Sequence, residues 1–338
     1  MGAAMESVFS WRKTKAGDLA KCLELHPAKN GAEIVGNVRV LHAWRQIFEM
    51  PHATRSAVVE MHEKKQVEIV GFGFASFVKK SFAEEEIRNP RPGLNSRIIE
   101  SVVDGNSVIA SYAEVRDANT RGDLQQVILD TSWKNGPLTP IQVDEVRVLL
   151  GLAYQELFAG YHFSRILSEM VDELDLWHVR GHRSFRVVSQ FDDFRRANPD
   201  TQWNPERSLL EVSLESMRAD PHSIAAGLFQ RHVQPQFAFT PREQELLELA
   251  LEGADDPSLA KLLFLSLPAI KRRWSSIFEC VSSLRPDLCP FDGDRIRGVQ
   301  KRQRILTYLR SHPEELRPFK LARPDSLRFR RFRKDVKL

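Results

Sequence analysis

Apolar and polar positions alternate over Ala57–Met61. After the polar stretch 62–66 they alternate again over Val67–Val78, a run rich in Val, Ile and Phe, which predicts a pair of neighbouring strands. Gly71 and Gly73 inside the second strand point to a bulge or a close backbone approach. Val35–Leu41 and Ser56–Met61 are short, alternating and β-branched, so both read as strand. Asn89–Gly93 is a loop, Leu94–Val103 a helix, Ser107–Glu114 a strand candidate, and 123–133 a mixed pattern holding Leu124, Val127, Ile128 and Asp130. From Pro140 the period becomes helical. Val143, Val146, Leu149, Leu150, Ala153, Leu157 and Phe158 form one stripe, Gly160 ends it, and Phe163, Ile166, Leu167, Met170 and Leu174 start a second. Phe185–Ser189 returns to strand, and Leu209–Met217 fits strand or helix.

These elements predict an N-terminal segment (1–34), an α+β domain with a mixed sheet and helices (35–217) and a linker (218–238). An all-α helix-turn-helix domain (239–316) and a basic tail (317–338) follow. The all-α part has the clearer local grammar. Thr240, Pro241 and Glu243 make a capping box with Pro in the first turn, Leu246, Leu247, Leu249, Ala250 and Leu251 are apolar, and Gly253 stops the helix. Asp255 or Asp256 caps a second short helix with Leu259, Ala260, Leu262 and Leu263 apolar. Phe264-Leu265-Ser266 is a tight turn, and Ser266 caps a third helix. There Ile270, Trp274, Ile277 and Val281 share a core face, while Pro268, Lys271, Arg272 and Ser275 lie opposite with Arg273 at the edge. A last helix is expected over Arg295–Leu309, with Arg297, Lys301, Arg302 and Arg304 on its outer face.

Composition narrows the classes. With 338 residues and 42% hydrophobic side chains the chain can build real cores, which excludes whole-chain disorder. No apolar run is long enough to span a bilayer, and the mean hydropathy is -0.35, so no membrane partner is expected. The start shows no secretory signal, and three scattered cysteines (Cys22, Cys280, Cys289) fit a reducing, cytoplasmic setting. The net charge of +4 is uneven: Phe239–Leu338 has 21 basic and 14 acidic residues, and Arg317–Leu338 alone has 9 and 2. That places polyanion binding at the back of the chain, and before the tail it must come from how charge is arranged on helices.

Two short helices joined by a tight turn, the second cationic near its start, suit entry of that helix into a major groove. The segment Phe239–Val281 resembles the LuxR/GerE-type helix-turn-helix regulators. Thr240–Glu243 and Glu245 fit the opening, Gly253 the loop glycine, Leu259, Ala260, Leu263, Leu265 and Ser266 the scaffold helix and turn, and Ile270, Lys271 and Ile277 the recognition helix. The resemblance implies a DNA-binding transcriptional regulator, not an enzyme. It would act as a homodimer on double-stranded DNA, with no cofactor or metal, and its N-terminal domain would receive a small-molecule or protein signal. Lys271, Arg272, Arg273, Ser275 and Ser276 would contact DNA, and Arg297, Lys301, Arg302 and Arg304 are candidate phosphate contacts. The sequence departs from the family at Ala269, Arg273, Ser276 and the acidic pair Asp255-Asp256.

Two alternatives stand beside this. The outline of 35–217 resembles a GNAT-type acetyltransferase, although no Arg or Gln followed three residues later by Gly, the mark of its pyrophosphate loop, occurs before residue 238. The third is an interaction module with a degenerate helix-turn-helix. Other chemistry is better read as scaffold. His178 and His182 have metal spacing but no third ligand, and Glu84–Glu86 and Asp192-Asp193 read as solvated charge. Cys280 reads as packing, Phe72, Phe74 and Phe77 as core, and the tail Arg328–Lys334 as a basic end with interleaved Phe329 and Phe332.

Overall fold

The expected strand pair forms as a long hairpin inside a sheet that begins much earlier in the chain. The structure is a computed structural model. It describes residues 8–25, 37–63, 66–134, 136, 138–170, 185–191, 207–220, 226–229, 233–289 and 298–320. The first of two units, Met1–Gln230, runs β1 (Val8–Lys13), α1 (Leu19–Glu24), α2 (Val38–Phe48), β2 (Thr54–Glu63), β3 (Gln66–Val78), α3 (Lys80–Arg88), α4 (Leu94–Val103) and α5 (Tyr112–Arg121). It continues with β4 (Leu124–Trp133), α6 (Pro140–Phe158), β5 (Phe163–Met170), β6 (Phe185–Gln190), β7 (Ser208–Ser213), α7 (Leu214–Ala219) and α8 (Ala226–Phe229). The second unit, Arg231–Leu338, holds α9 (Pro241–Leu251), α10 (Asp256–Leu262), α11 (Leu267–Leu284) and α12 (Gly298–Ser311).

Among the described residues seven strands join one sheet in the order β1-β2-β3-β4-β5-β7-β6. Every neighbouring pair is antiparallel except β4–β5, which is parallel and joined by the crossover helix α6. The fold class is thereby corrected. The front of the chain is a seven-stranded mixed sheet with helices on both faces, and it starts ahead of residue 35 because β1 pairs with β2.

Three local expectations change for identifiable reasons. Val35–Leu41 is not a strand: the Asn37 side chain accepts from the Arg39 and Val40 amides, starting α2, whose Ala43, Trp44 and Ile47 are buried. Ser107–Glu114 is not a strand either. Ile109 makes an isolated bridge to Val78, and Ser111 with Glu114 forms the capping box of α5. The second helical stripe, from Phe163, is instead β5. It lies between β4 and β7, and its apolar residues Phe163, Ile166, Leu167 and Met170 fall at i, i+3, i+4 and i+7, a spacing that mimics a helix face. Leu209–Met217 is both: β7 ends at Ser213, which caps α7.

Helix α6 covers one face of β1–β3 through a small cluster of Phe9, Val59, Val70, Val146 and Leu150. Gly71 and Gly73 permit this, since a Cβ built at Gly71 would stand 2.6 Å from Val146 Cγ1 and 3.2 Å from Val59 Cβ. The opposite face carries the main core, where Phe74 packs against Trp44 and Phe48 of α2. In the second unit Phe237, Phe239, Leu246, Leu247, Ile270, Trp274, Ile277 and Ile305 are buried together.

Gly71→Ala is expected to destabilise the chain by about 1–3 kcal/mol, because a close-packed interface absorbs an added methyl poorly. Gly73→Ala, whose nearest neighbour would be Leu150 Cδ2 at 3.5 Å, should cost clearly less. Urea unfolding of the two variants side by side checks the difference.

Candidate active site

The chemistry gathers where β4 leaves β5. Their parallel ladder runs from Leu124↔Phe163 to Ile128↔Ser168, yet β4 continues to Trp133. At the parting point β4 also bulges. Phe74 of β3 faces Asp130 while Ala75 faces Ile128, so Leu129 is the extra residue. Before the bulge, Gln126 faces α6 and accepts a short hydrogen bond from the Tyr154 hydroxyl. After it, Asp130 and Ser132 take the other face, opposite Phe74 and Phe72.

Both side chains are buried, with residue exposures of 5% for Asp130 and 1% for Ser132. Among the described residues neither Asp130 Oδ2 nor Ser132 Oγ has a hydrogen-bond partner. Buried polar atoms are rarely left so, and each asks for a partner or a role. Burial pushes the Asp130 carboxyl up to about 7. The Cys22 thiol of α1 is fully buried and is pushed up to about 12, mainly by desolvation, then by the Asp18 charge and after it the Asp130 charge. It is therefore no nucleophile at neutral pH.

One turn holds both diverging strands. Gly93 at the start of α4 has left-handed backbone (φ 86) and offers no side-chain cap. Glu169 of β5 does that work, accepting from the Gly93 amide at 2.9 Å and the Leu94 amide at 2.5 Å, and it also pairs with Arg207 at 3.1 Å. The next residue, Asn95, donates through Nδ2 to the Leu129 carbonyl at 2.5 Å, while its buried Oδ1 has no partner among the described residues. Arg97 steadies the preceding loop by binding Glu86 and the Pro92 carbonyl. On the same sheet face Glu211 sits between Arg165 and Arg186, at 2.6 Å from each Nε, and Arg165 reaches Gln125 at 3.2 Å.

The residues expected from sequence lie elsewhere. Lys271, Arg272 and Ser275 are exposed on α11, and the Ser275 hydroxyl bonds the Lys271 carbonyl. Ser276 donates to Glu243 at 2.8 Å, and Arg273 Nη1 to the Arg242 carbonyl at 3.5 Å. On α12, Lys301 is buried and Arg304 exposed. Arg302 pairs with Asp256 at 2.8 Å and lies over the Trp274 ring at 4.5 Å, a structural tie between helices. Arg297, His178, His182, Asp192, Asp193 and Arg328–Lys334 fall outside the described residues. Glu86, one of the acidic run, is the buried partner of Arg97, and Cys280 bonds the Phe237 carbonyl at 3.3 Å. Among the described residues no group of three or more His, Cys, Asp or Glu could hold a metal. Sequence reasoning passed over Asp130. Its signal was an acid directly after the apolar run Val127–Leu129, on a stretch whose period was ambiguous.

No family model matches the chain, and no curated protein is similar to it. Solved structures that it resembles include the C-terminal condensation domain of Ebony in complex with β-alanyl-dopamine (10% identity, TM-score 0.37, covering 62% of this chain and 100% of that one). Others are an N-acyl amino acid synthase from uncultured soil microbes (10%, 0.34, 64% and 96%) and an aminoglycoside acetyltransferase in complex with coenzyme A (12%, 0.30, 63% and 99%). Likenesses this distant identify neither a substrate nor a residue role. The LuxR/GerE assignment is corrected: no family model matches the chain, Phe239–Val281 included. The expected non-enzymatic transcription regulator with duplex DNA as its partner is withdrawn with it, and what the structure shows instead is the seven-stranded mixed sheet of the first unit. No helix among the described residues is long and apolar enough to cross a membrane.

Asp130 also sets a pH dependence of stability. Its carboxyl moves from 3.8 to about 7 on folding, so between those values the folded chain holds a proton that the unfolded chain has released. Stability should then fall as pH rises through that window, by on the order of a few kcal/mol. Asp130→Asn should flatten this slope and be the more stable chain at pH 8, as urea unfolding at pH 5 and pH 8 would measure.

Proposed function

We propose that the first unit is an acyltransferase that moves an acyl group from a thioester donor to an amine. The observation that carries the reading is the buried Asp130 carboxyl, with an oxygen lacking a partner among the described residues, at the point where the parallel strands β4 and β5 part. A divergence in a parallel pair leaves strand groups of β4 beyond Ile128 without their β5 partners, which suits binding of a flat acyl–thioester group. A carboxyl held near neutrality is suited to general-base work at ordinary pH.

The step balances simply. The acceptor nitrogen attacks the thioester carbon, the C–N bond forms and the C–S bond breaks. Asp130 takes the proton released by the nitrogen, and the departing thiolate is protonated in turn. Phe72, Phe74 and Cys22 keep the carboxyl dry, which raises its basicity. Asn95 fixes the Leu129 carbonyl and thereby the bulge that turns Asp130 to this face. The reading rests on this strand geometry, since no Arg/Gln-x-x-Gly pyrophosphate loop precedes residue 238. The three free thiols, Cys22, Cys280 and Cys289, fit a cytoplasmic setting for such an enzyme.

Thiol release from a panel of acyl-coenzyme A donors with amine acceptors tests the proposal on the full chain. Turnover should rise with pH through about 7, following Asp130 deprotonation. Asp130→Asn should lower turnover by about 10²–10⁴-fold, the range for loss of a general base, while donor binding by calorimetry persists. No donor binding, or full turnover in Asp130→Asn, would reject the reading.

A further inference from the structure

Helices α9 and α10 end in the same way, but with different residues at the reversal. In α9 the Gly253 amide donates to the Ala250 carbonyl at 3.1 Å and the Ala254 amide to Leu249 at 3.2 Å. In α10 the Phe264 amide donates to Lys261 at 3.4 Å and the Leu265 amide to Ala260 at 2.9 Å. This paired closure needs left-handed backbone at its middle residue, φ 95 at Gly253 and φ 52 at Phe264. Glycine adopts it freely, whereas a bulky aromatic residue there is strained. The ring gains no burial in return: Phe264 is 94% exposed, and Leu262 and Leu267 beside it are 55% and 45% exposed. Single apolar residues on a surface need no explanation, but three around one strained turn do.

The charge around the turn is of one sign. From Leu259 to Trp274 there is no acidic residue, and Lys261, Lys271, Arg272 and Arg273 lie in that stretch. Lys261, Lys271 and Arg272 are exposed. Leu267 and Lys271, like Pro268 and Arg272, are spaced one helical turn apart, so the cations of α11 stand directly behind the apolar tip. The acids that precede the stretch are engaged: Asp255 accepts from the Ser258 amide, and Asp256 holds Arg302.

We propose that the α10–α11 turn is a contact tip for an anionic bilayer surface. Phe264, Leu262 and Leu267 enter the boundary between headgroups and acyl chains, and Lys261, Lys271 and Arg272 meet the lipid phosphates. Bound from outside by one turn, the chain needs no spanning helix. An apolar groove on another protein would accept the three side chains but gives no reason for an acid-free cationic surround. Duplex DNA matches the cations but offers no apolar phase for a ring 94% exposed. The proposal is independent of the acyl-transfer reading, because it rests on residues of the second unit alone.

Sedimentation of the full chain with vesicles tests it. The chain should bind mixed phosphatidylcholine–phosphatidylglycerol vesicles, fail to bind phosphatidylcholine alone, and release as salt rises. Phe264→Gly removes the ring and relaxes the backbone. Its melting temperature should rise while vesicle binding weakens by about tenfold. Leu262→Ser should weaken binding in the same direction, and Lys271→Gln with Arg272→Gln should abolish the preference for the anionic lipid. Absent binding to mixed vesicles, or binding unchanged in Phe264→Gly, overturns the proposal. So does a Phe264→Gly chain that keeps vesicle binding and loses affinity for duplex DNA, which would assign the turn to nucleic acid.

Discussion

The first unit depends on a single parallel contact, β4 against β5. Parallel strands cannot be joined by a tight turn, so the chain must cross over between them, and α6 is that crossover. Where the helix lands decides which residues the sheet can tolerate beneath it, and where the ladder stops decides what can be done chemically. The two effects fall on opposite faces of β4. One face gives Gln126 to Tyr154 of the crossover helix, while the other, past the bulge at Leu129, gives Asp130 and Ser132 to the core behind α1 and α2. A shift of one residue in β4 exchanges those roles, which is why the bulge has its own tie, the hydrogen bond from Asn95.

The Gly93–Asn95 turn also explains why a divergence can persist in a folded chain. Strands that part leave polar groups unmatched, and nothing local in β4 or β5 supplies partners. Here one helix start does so for both: its amides go to the carboxylate of β5, and its first polar side chain goes to the carbonyl of β4. Glu169 thus replaces a capping side chain that Gly93 lacks, and the positive end of α4 compensates a buried carboxylate.

Legibility of this in the sequence followed how local each determinant is. The β2–β3 hairpin, the helix over Leu94–Val103 and the caps at Thr240, Asp255 and Ser266 are written in neighbouring residues and could be read directly. The glycines at 71 and 73 announced a close approach, though not that its other party is α6. β5 was misread because Phe163, Ile166, Leu167 and Met170 fall at helical spacing, while Arg165 and Glu169 share a sheet face with Phe163 and Leu167 and blur the period of two. The α2 region was misread because β-branched Val38 and Val40 outweighed the cap at Asn37. Asp130 stayed hidden for a different reason. Its chemistry arises from a bulge and from helices more than thirty residues away in sequence, and neither has a local signature. The cationic start of α11 was conspicuous, and the family resemblance drawn from it directed attention away from the point where β4 and β5 part.

The 2.6 Å spacing between a built Gly71 Cβ and Val146 has a consequence for how this sequence can diverge. The strand and the crossover helix touch there without slack, so the two positions share one fixed volume. A lineage that acquires a side chain at 71 must surrender one at 146, in that order or the reverse, and neither half-step is comfortable alone. Drift at this point of the fold is therefore paired, and a glycine–valine exchange of places would be its footprint among any relatives that keep the same sheet.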